Sequence, residues 1–234
     1  MANARSHSLG VTMSKAEIIA GFCYLPFYVV LLAWGLRFLS DYFGLKLTDL
    51  QLNLCYFAIN GVAIWIIFHG FLWRSFRSIR FWELVQALIL GFVLHYAGTL
   101  LLTRILQLLH VEITVYNNQT MEQLIRQNRM VMLVCSLFIA PVVEETLVRG
   151  LIFGTIRRKS RVIAYAVSVV FFAFLHVWQY WNSQDPGAVA LAALAYLPAG
   201  IALGWTYEKS STVWAPILLH TIINAIAFGV MPAL

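Results

Sequence analysis

Long apolar runs recur along almost the whole chain, and they constrain the fold more than any other feature of the sequence. A run of about 18 or more mostly apolar residues is long enough to cross a bilayer as a helix. Such runs cover residues 17–39, 52–73, 82–109, 130–153, 162–178, 188–206 and 212–230. We therefore predict an all-α polytopic transmembrane helical bundle with about seven spans, and the stretch 110–128 leaves room for an eighth, short or re-entrant one.

The composition excludes the main alternatives to a membrane protein. Apolar residues make up 61% of the chain and charged residues 11%, whereas a typical soluble domain carries about 25% charged residues. The three cysteines lie inside apolar runs and have no metal-type spacing. A soluble globule, a disordered chain and a secreted disulfide scaffold are therefore excluded.

The first apolar run is predicted to be a retained helix. Its apolar part is too long for the central region of a signal peptide, and no small-x-small cleavage site follows it. Pro26 lies inside the run. Because proline interrupts helical hydrogen bonding, we expect a kink there.

Basic residues predict the orientation, because Lys and Arg accumulate in cytoplasmic loops. Those that precede the first run or follow the second, fourth and sixth are Arg5, Lys15, Arg74, Arg77, Arg80, Arg157, Arg158, Lys159, Arg161 and Lys209. The loops on the other side are balanced or slightly acidic. The pattern predicts a cytoplasmic N-terminus and an outer C-terminus, in the cell membrane if the source is bacterial. The net charge of +6 thus marks loops against the lipid bilayer and predicts no nucleic-acid partner.

The chain is predicted to form one membrane-embedded domain over residues 1–234. It contains no internal repeat, no low-complexity tract and no long polar linker. The polar residues that carry chemistry cluster in residues 130–230, which we predict to be the catalytic core.

The fourth run contains three ionisable residues within six positions. Ionisable groups inside a span are costly, so each one is by default a candidate functional residue. Glu145 and Arg149 are four residues apart and share a helix face, so they can neutralise each other. Glu144 has no such partner, which makes it a candidate general base.

Three later polar residues are predicted to lie at the same depth as Glu144. His176 is in the fifth run, and His220 and Asn224 are four residues apart in the seventh. Counted from the inner basic residues at about 1.5 Å per residue, all four groups lie roughly 16 to 23 Å deep. Isolated histidines such as His69 and His95 are more often packing residues, so only the joint layer indicates chemistry.

The polar residues of these runs form three motifs in a fixed order along the chain. They are Glu144-Glu145-x-x-x-Arg149, Phe172-x-x-x-His176 and His220-x-x-x-Asn224. This ordered set resembles the CPBP family, which comprises CAAX prenyl endopeptidases and bacteriocin-processing or immunity-type (Abi-like) intramembrane proteases. The resemblance covers about residues 130–230 and implies peptide-bond hydrolysis within or at the edge of the membrane.

Two catalytic assignments are compatible with the motifs. In the first, Glu144 and His176 activate a water molecule, His220 and Asn224 stabilise the oxyanion, and Glu145, Arg149 and Phe172 support the site without any cofactor. The second is a metalloprotease, in which Glu144, His176 and His220 hold a divalent metal such as zinc and leave one position open for water. We favour the first assignment slightly, and the sequence leaves both open.

The substrate class and two rival functions also remain open at this stage. The resemblance implies a membrane-anchored peptide or protein, either a prenylated CAAX protein or a leader, bacteriocin or signalling peptide. The same cavity would also suit a non-proteolytic scaffold or bacteriocin-immunity protein that binds a partner. A proton-coupled transporter is disfavoured because Pro198, which breaks the sixth run, has no counterpart in the other half of the chain.

Overall fold

The structure, a computed structural model, describes residues 10–230, and this part of the chain is almost wholly helical. Arg5, which contributes to the predicted orientation, lies outside the described residues. The helices are α1 Lys15–Tyr42, α2 Asp49–Arg77, α3 Phe81–Leu108, α4 Tyr116–Gln127, α5 Arg129–Arg157, α6 Arg161–Tyr180, α7 Pro186–Ser210 and α8 Trp214–Ala227. No strand occurs between residues 10 and 230.

The helix lengths confirm an all-α, multi-pass membrane protein with about seven spans. Six helices of the described chain, α1 to α3 and α5 to α7, are long and apolar enough to cross a membrane. The seventh run forms α8, which is apolar but shorter. The stretch 110–128 forms α4, a 12-residue polar helix that buries Leu124 and Ile125 and is not among the candidate spans.

Side-chain caps fix where several helices begin. Ser14 and Glu17 form a reciprocal capping box at the start of α1, and Thr48 and Gln51 do the same for α2. Asp185 accepts a hydrogen bond from the Ala188 backbone and is followed by Pro186, a favoured first residue of a helix. These caps satisfy backbone N–H groups that a helix leaves free at its N-terminus.

The helix α5 lies at the centre of the bundle. In its apolar window 56% of the residues are buried, compared with 11% to 22% in α1, α2 and α3. It packs against α2, α6 and α8. The helix with the most costly residues is therefore the one that is best shielded from lipid.

Helix α3 packs closely along α7, with two glycines at the contact. A Cβ atom at Gly91 would lie 2.0 Å from the Thr206 hydroxyl, and one at Gly98 would lie 3.2 Å from Pro198. Small residues at these positions allow the backbones to approach, as is usual for packing in membranes. The glycine-bearing face of α3 is thus turned toward the interior of the bundle.

Three π-helical segments interrupt α1 and α5. The irregularity predicted at Pro26 takes the form of a π-helical segment, Phe27–Leu31, which frees the carbonyl of Tyr28 to accept from the Tyr56 hydroxyl (3.0 Å). In α5 the segments are Cys135–Ile139 and Thr146–Phe153. Such segments often occur at functional sites because they leave carbonyls free and rotate side chains.

Candidate active site

The four polar residues predicted to share one layer line a single cavity. Its volume is about 1080 Å³, and residues from all eight helices contribute to its lining. Its polar lining includes Glu144, His176, His220 and Asn224. The structure therefore brings the candidate catalytic residues together from α5, α6 and α8.

The carboxylate of Glu145 points away from this cavity into a fully buried ion pair. Its Oε1 accepts from Arg149 Nη1 at 3.0 Å, and both side chains are inaccessible to solvent. The same oxygen lies 2.9 Å from His220 Nδ1. Because an ionised carboxylate can only accept, His220 carries its proton on Nδ1 and turns Nε2 away from Glu145.

Arg149 connects α5 to α6 and α7. Its Nη2 donates to the carbonyl of Gly200 at 3.1 Å, and its guanidinium lies 4.4 Å from the centre of the Phe172 ring. That ring also contacts His176 and His220, with centroid distances of 4.6 and 5.7 Å. Phe172 therefore sets the positions of both histidines and covers the buried cation, a stabilising arrangement for arginine and an aromatic ring.

The other carboxylate, Glu144, faces the cavity beside His176. Its Oε2 has no hydrogen-bond partner among residues 10–230 and lies 3.7 Å from His176 Nε2. His176 donates from Nδ1 to the carbonyl of Phe172 at 2.8 Å and stacks on Tyr196 with a centroid distance of 4.4 Å. The neutral imidazole is thus held with the lone pair of Nε2 directed toward Glu144.

Glu144 and His176 are close but not hydrogen-bonded, because the 3.7 Å between Oε2 and Nε2 is too long for a direct hydrogen bond. Oε2 is itself buried while the Glu144 side chain is 17% exposed, so a water molecule has to approach through the exposed part of the carboxylate. Two unpaired acceptors are what deprotonation of that water requires. The pair can therefore act as a general base.

Helix α8 donates hydrogen bonds to two backbone carbonyls of α5 that have no donor within α5 itself. The π-helical segment bonds the Ala140 N–H to Cys135, so that the Ser136 carbonyl is free and accepts from Asn224 Nδ2 at 2.9 Å. Pro141 has no N–H for the Leu137 carbonyl, and the Thr221 hydroxyl donates to it instead at 2.7 Å. These two bonds fix the orientation of Asn224 at the cavity wall.

The metal assignment requires Glu144, His176 and His220 to converge on one point. Within residues 10–230, no group of three or more His, Cys, Asp or Glu side chains is arranged to hold a metal ion. Each histidine donates from Nδ1, to Glu145 and to the Phe172 carbonyl, and keeps Nε2 free, which is the usual orientation of metal-binding histidines. What a zinc site lacks among residues 10–230 is the placement of the three side chains around one point.

Three further residues of this site are not among those predicted from the sequence. Thr221 and Tyr196 belong to no predicted motif, and the sequence predicts His95 to be a packing residue. His95 lies four residues from Gly91 and three from Gly98, and this spacing places it on the interior face of α3. The signal for His95 was therefore available in the positions of the glycines.

Comparisons with known proteins agree with the motifs. Residues 126–226 match the family model described as Type II CAAX prenyl endopeptidase Rce1-like. A protein of Bacillus subtilis (strain 168) described as "Putative membrane peptidase YdiL" is 27% identical over 94 residues, which are 40% of this chain and 34% of that protein. The chain thus matches about a third of the length of that relative. No solved structure matches the chain.

The matched segment contains all three motifs and runs from the end of α4 through most of α8. The resemblance to the CAAX prenyl endopeptidase family is therefore confirmed for this part of the chain. Helices α1, α2 and α3 lie outside the match. The family match therefore says nothing about these three helices, and only the structure shows that they line the cavity.

Proposed function

We propose that this chain is an intramembrane endopeptidase that hydrolyses a peptide bond of a membrane-associated peptide or protein. One observation carries the proposal, namely the unpaired Glu144 carboxylate 3.7 Å from His176 in a cavity inside a membrane bundle. A half-buried carboxylate with a buried oxygen that has no hydrogen-bond partner is costly. The family match over residues 126–226 supports the same reaction class.

In the proposed first step, a water molecule between Glu144 and His176 attacks the scissile carbonyl carbon. Glu144 takes a proton from this water while its oxygen forms the new bond to carbon. His176 accepts a hydrogen bond from the water through Nε2 and orients it. The π electrons of the carbonyl move to its oxygen, which becomes the oxyanion of a tetrahedral intermediate.

In the same step, His220 and Asn224 stabilise the oxyanion. Asn224 Nδ2 has two protons and commits one to the Ser136 carbonyl, which leaves the other for the substrate. His220 enters this step as an imidazolium, whose Nδ1–H donates to Glu145 and whose Nε2–H donates to the oxyanion; it keeps both protons throughout. Donors held in place before the reaction are often the largest source of transition-state stabilisation.

Collapse of the intermediate completes the proposed reaction. The C–N bond breaks, and the proton held by Glu144 passes to the leaving nitrogen. One water is consumed, one carboxyl and one amine are formed, and Glu144 returns to its starting state. Glu145 and Arg149 do not exchange protons in this scheme; they position His220 and Phe172.

The proposed substrates are membrane-anchored chains of the CAAX, leader-peptide or signalling-peptide type. The cavity of about 1080 Å³ is large enough for an extended peptide segment and is lined mainly by apolar and aromatic side chains. An apolar lining suits a substrate that arrives from the bilayer. The proposed orientation places the N-terminus in the cytoplasm, because the basic loops follow α2, α5 and α7.

The test compares purified wild-type protein with Glu144→Gln on a panel of membrane-anchored peptides. The panel contains a prenylated CAAX peptide and double-glycine leader peptides, each incubated with and without a chelator. We expect wild type to cleave at least one peptide and Glu144→Gln to lose about 10²- to 10⁴-fold in rate, the contribution of a general base. Glu83→Gln, which changes a carboxylate in the first turn of α3 outside the cavity lining, is the matched control.

The outcomes separate the alternatives. Cleavage by Glu144→Gln at the wild-type rate, with both proteins folded, would contradict the assignment of Glu144. Activity that disappears with chelator and returns with zinc would favour the metal version. Absence of cleavage of every peptide by wild type would count against the peptidase and favour a scaffold or immunity protein that binds a partner.

A further inference from the structure

His95 is an intramembrane histidine that the proposed reaction does not use. It lines the same cavity as the candidate catalytic residues and is contributed by α3. Its Nδ1 is buried and has no hydrogen-bond partner among residues 10–230. An imidazole nitrogen left unpaired in this way costs free energy unless something else binds it.

The packing of α3 against its neighbours turns the His95 ring toward the cavity. Gly91 and Gly98 lie on the same face of α3, and a Cβ at Gly91 would lie 2.9 Å from Leu219, the residue before His220. The His95 ring packs edge-on against Tyr96 at a centroid distance of 5.2 Å, and its backbone carbonyl accepts from Thr99 at 2.9 Å. The backbone and ring are therefore fixed. Nδ1 is buried, whereas Nε2 is not among the buried atoms and has no partner among residues 10–230, so Nε2 is the nitrogen that a molecule in the cavity can reach.

A second intramembrane histidine gives the contrast. His69 in α2 is exposed on the outside of the bundle, is absent from the cavity lining, and has Nδ1 3.1 Å from its own helix at the Ile66 carbonyl. That nitrogen has a local partner, as expected for a histidine without a functional role. His95 has the opposite properties, which indicates that its partner is not part of the protein.

We propose that His95 is a substrate-binding residue of the proposed peptidase and hydrogen-bonds a backbone amide of the peptide next to the scissile bond. A neutral imidazole offers one donor and one acceptor, and a peptide amide offers the complementary pair. The bond forms in the ground state and persists through the reaction, because it is made to an amide that does not change its bonding. It therefore contributes to substrate binding and not to the chemical step. This inference rests on the proposed peptidase function.

The test measures kcat and KM for His95→Leu, His95→Gln and the control His69→Leu, on the panel peptide that wild type cleaves. We expect His95→Leu to raise KM about tenfold, the effect of one lost hydrogen bond, and to leave kcat within about twofold. His95→Gln carries an amide near the position of Nε2 and should recover most of the affinity. His69→Leu should match wild type.

Thermal unfolding of the same proteins separates binding from folding. An unchanged KM in His95→Leu would overturn the proposal, as would a fall in kcat at constant KM. Equal losses in the Leu and Gln variants, together with lower unfolding temperatures, would assign His95 a packing role. Failure of wild type to cleave any peptide is a separate result, because it removes the proposed peptidase function itself.

Discussion

Two adjacent glutamates of α5 each face a histidine, yet the two pairs are built differently. The Glu144–His176 pair is separated by 3.7 Å, and its side chains are 17% and 13% exposed. The Glu145–His220 pair is at 2.9 Å with exposures of 0% and 5%, and Arg149 completes it. Residues next to each other on a helix point about 100° apart, so one carboxylate enters the cavity and the other enters the protein core.

The two pairs show how neighbouring charges inside a membrane protein can have different roles: Glu145 stabilises the fold, and Glu144 is left for the proposed reaction. Glu145 accepts through Oε1 from Arg149 and His220, and Arg149 also packs on Phe172, while Glu145 Oε2 and Arg149 Nε have no partner among residues 10–230. Glu144 has no hydrogen bond from that part of the chain, and its side chain is 17% exposed whereas that of Glu145 is fully buried. A site of this kind should therefore separate into residues whose loss abolishes the reaction and residues whose loss unfolds the bundle.

The largest expected effects separate the two glutamates: one substitution should lower kcat, and the other should lower the unfolding temperature. Glu144→Gln should lower kcat by about 10²- to 10⁴-fold and leave the unfolding temperature unchanged. Glu145→Gln should lower the unfolding temperature, because Arg149 loses its charged partner. Kinetics and thermal unfolding of both variants in detergent check this, and equal stability of the two would contradict the division of roles.

The next effect concerns the stability contributed by Arg149. Arg149→Met should lower the free energy of unfolding by about 3–5 kcal/mol, because it leaves the Glu145 charge buried without compensation. Arg37→Met is the matched control, because the Arg37–Asp49 pair is exposed and such pairs contribute at most about 1 kcal/mol. If the two variants unfold at the same temperature, the buried pair has no special role in stability.

A smaller effect should distinguish Asn224 from His95 within the same cavity. Asn224→Leu should lower kcat about 10²- to 10³-fold at nearly constant KM, because an oxyanion exists only after attack. His95→Leu should change KM and not kcat. Steady-state kinetics of the two variants on one peptide check the contrast, and a change confined to KM in Asn224→Leu would remove Asn224 from the oxyanion site.

The sequence predicts those parts of the site that depend on a single helix. The Glu145–Arg149 pair follows from helical spacing alone, and the structure contains it. The common depth of Glu144, His176 and His220 follows from distances along each span, and all three line one cavity. Helix geometry is regular enough for both inferences.

Contacts between helices could not be predicted in the same way. Spacing gives the depth of His220 but not the rotation of α8, so the sequence predicts an oxyanion or metal-binding role for His220 and not its bond to Glu145. The π-helical segments of α5 also shift the register on which such reasoning depends. His95 was set aside because a single polar residue has no pattern, although the flanking glycines mark its face.

The smallest effect tests how α8 is fastened to α5. Pro141 leaves the Leu137 carbonyl without its helical donor, and Thr221 supplies one at 2.7 Å. Thr221→Val keeps the shape and removes that hydrogen bond, so we expect a loss of about 1 kcal/mol in the free energy of unfolding, near the upper range for such bonds in membranes. Thr221→Ser should retain most of the stability.

Thr103→Val, on the exposed face of α3, is the control. Equal unfolding temperatures for Thr221→Val and Thr103→Val would mean that another group satisfies the carbonyl. If Thr221→Val instead lowers kcat as well as stability, the bond also sets the position of Asn224 one turn further along α8.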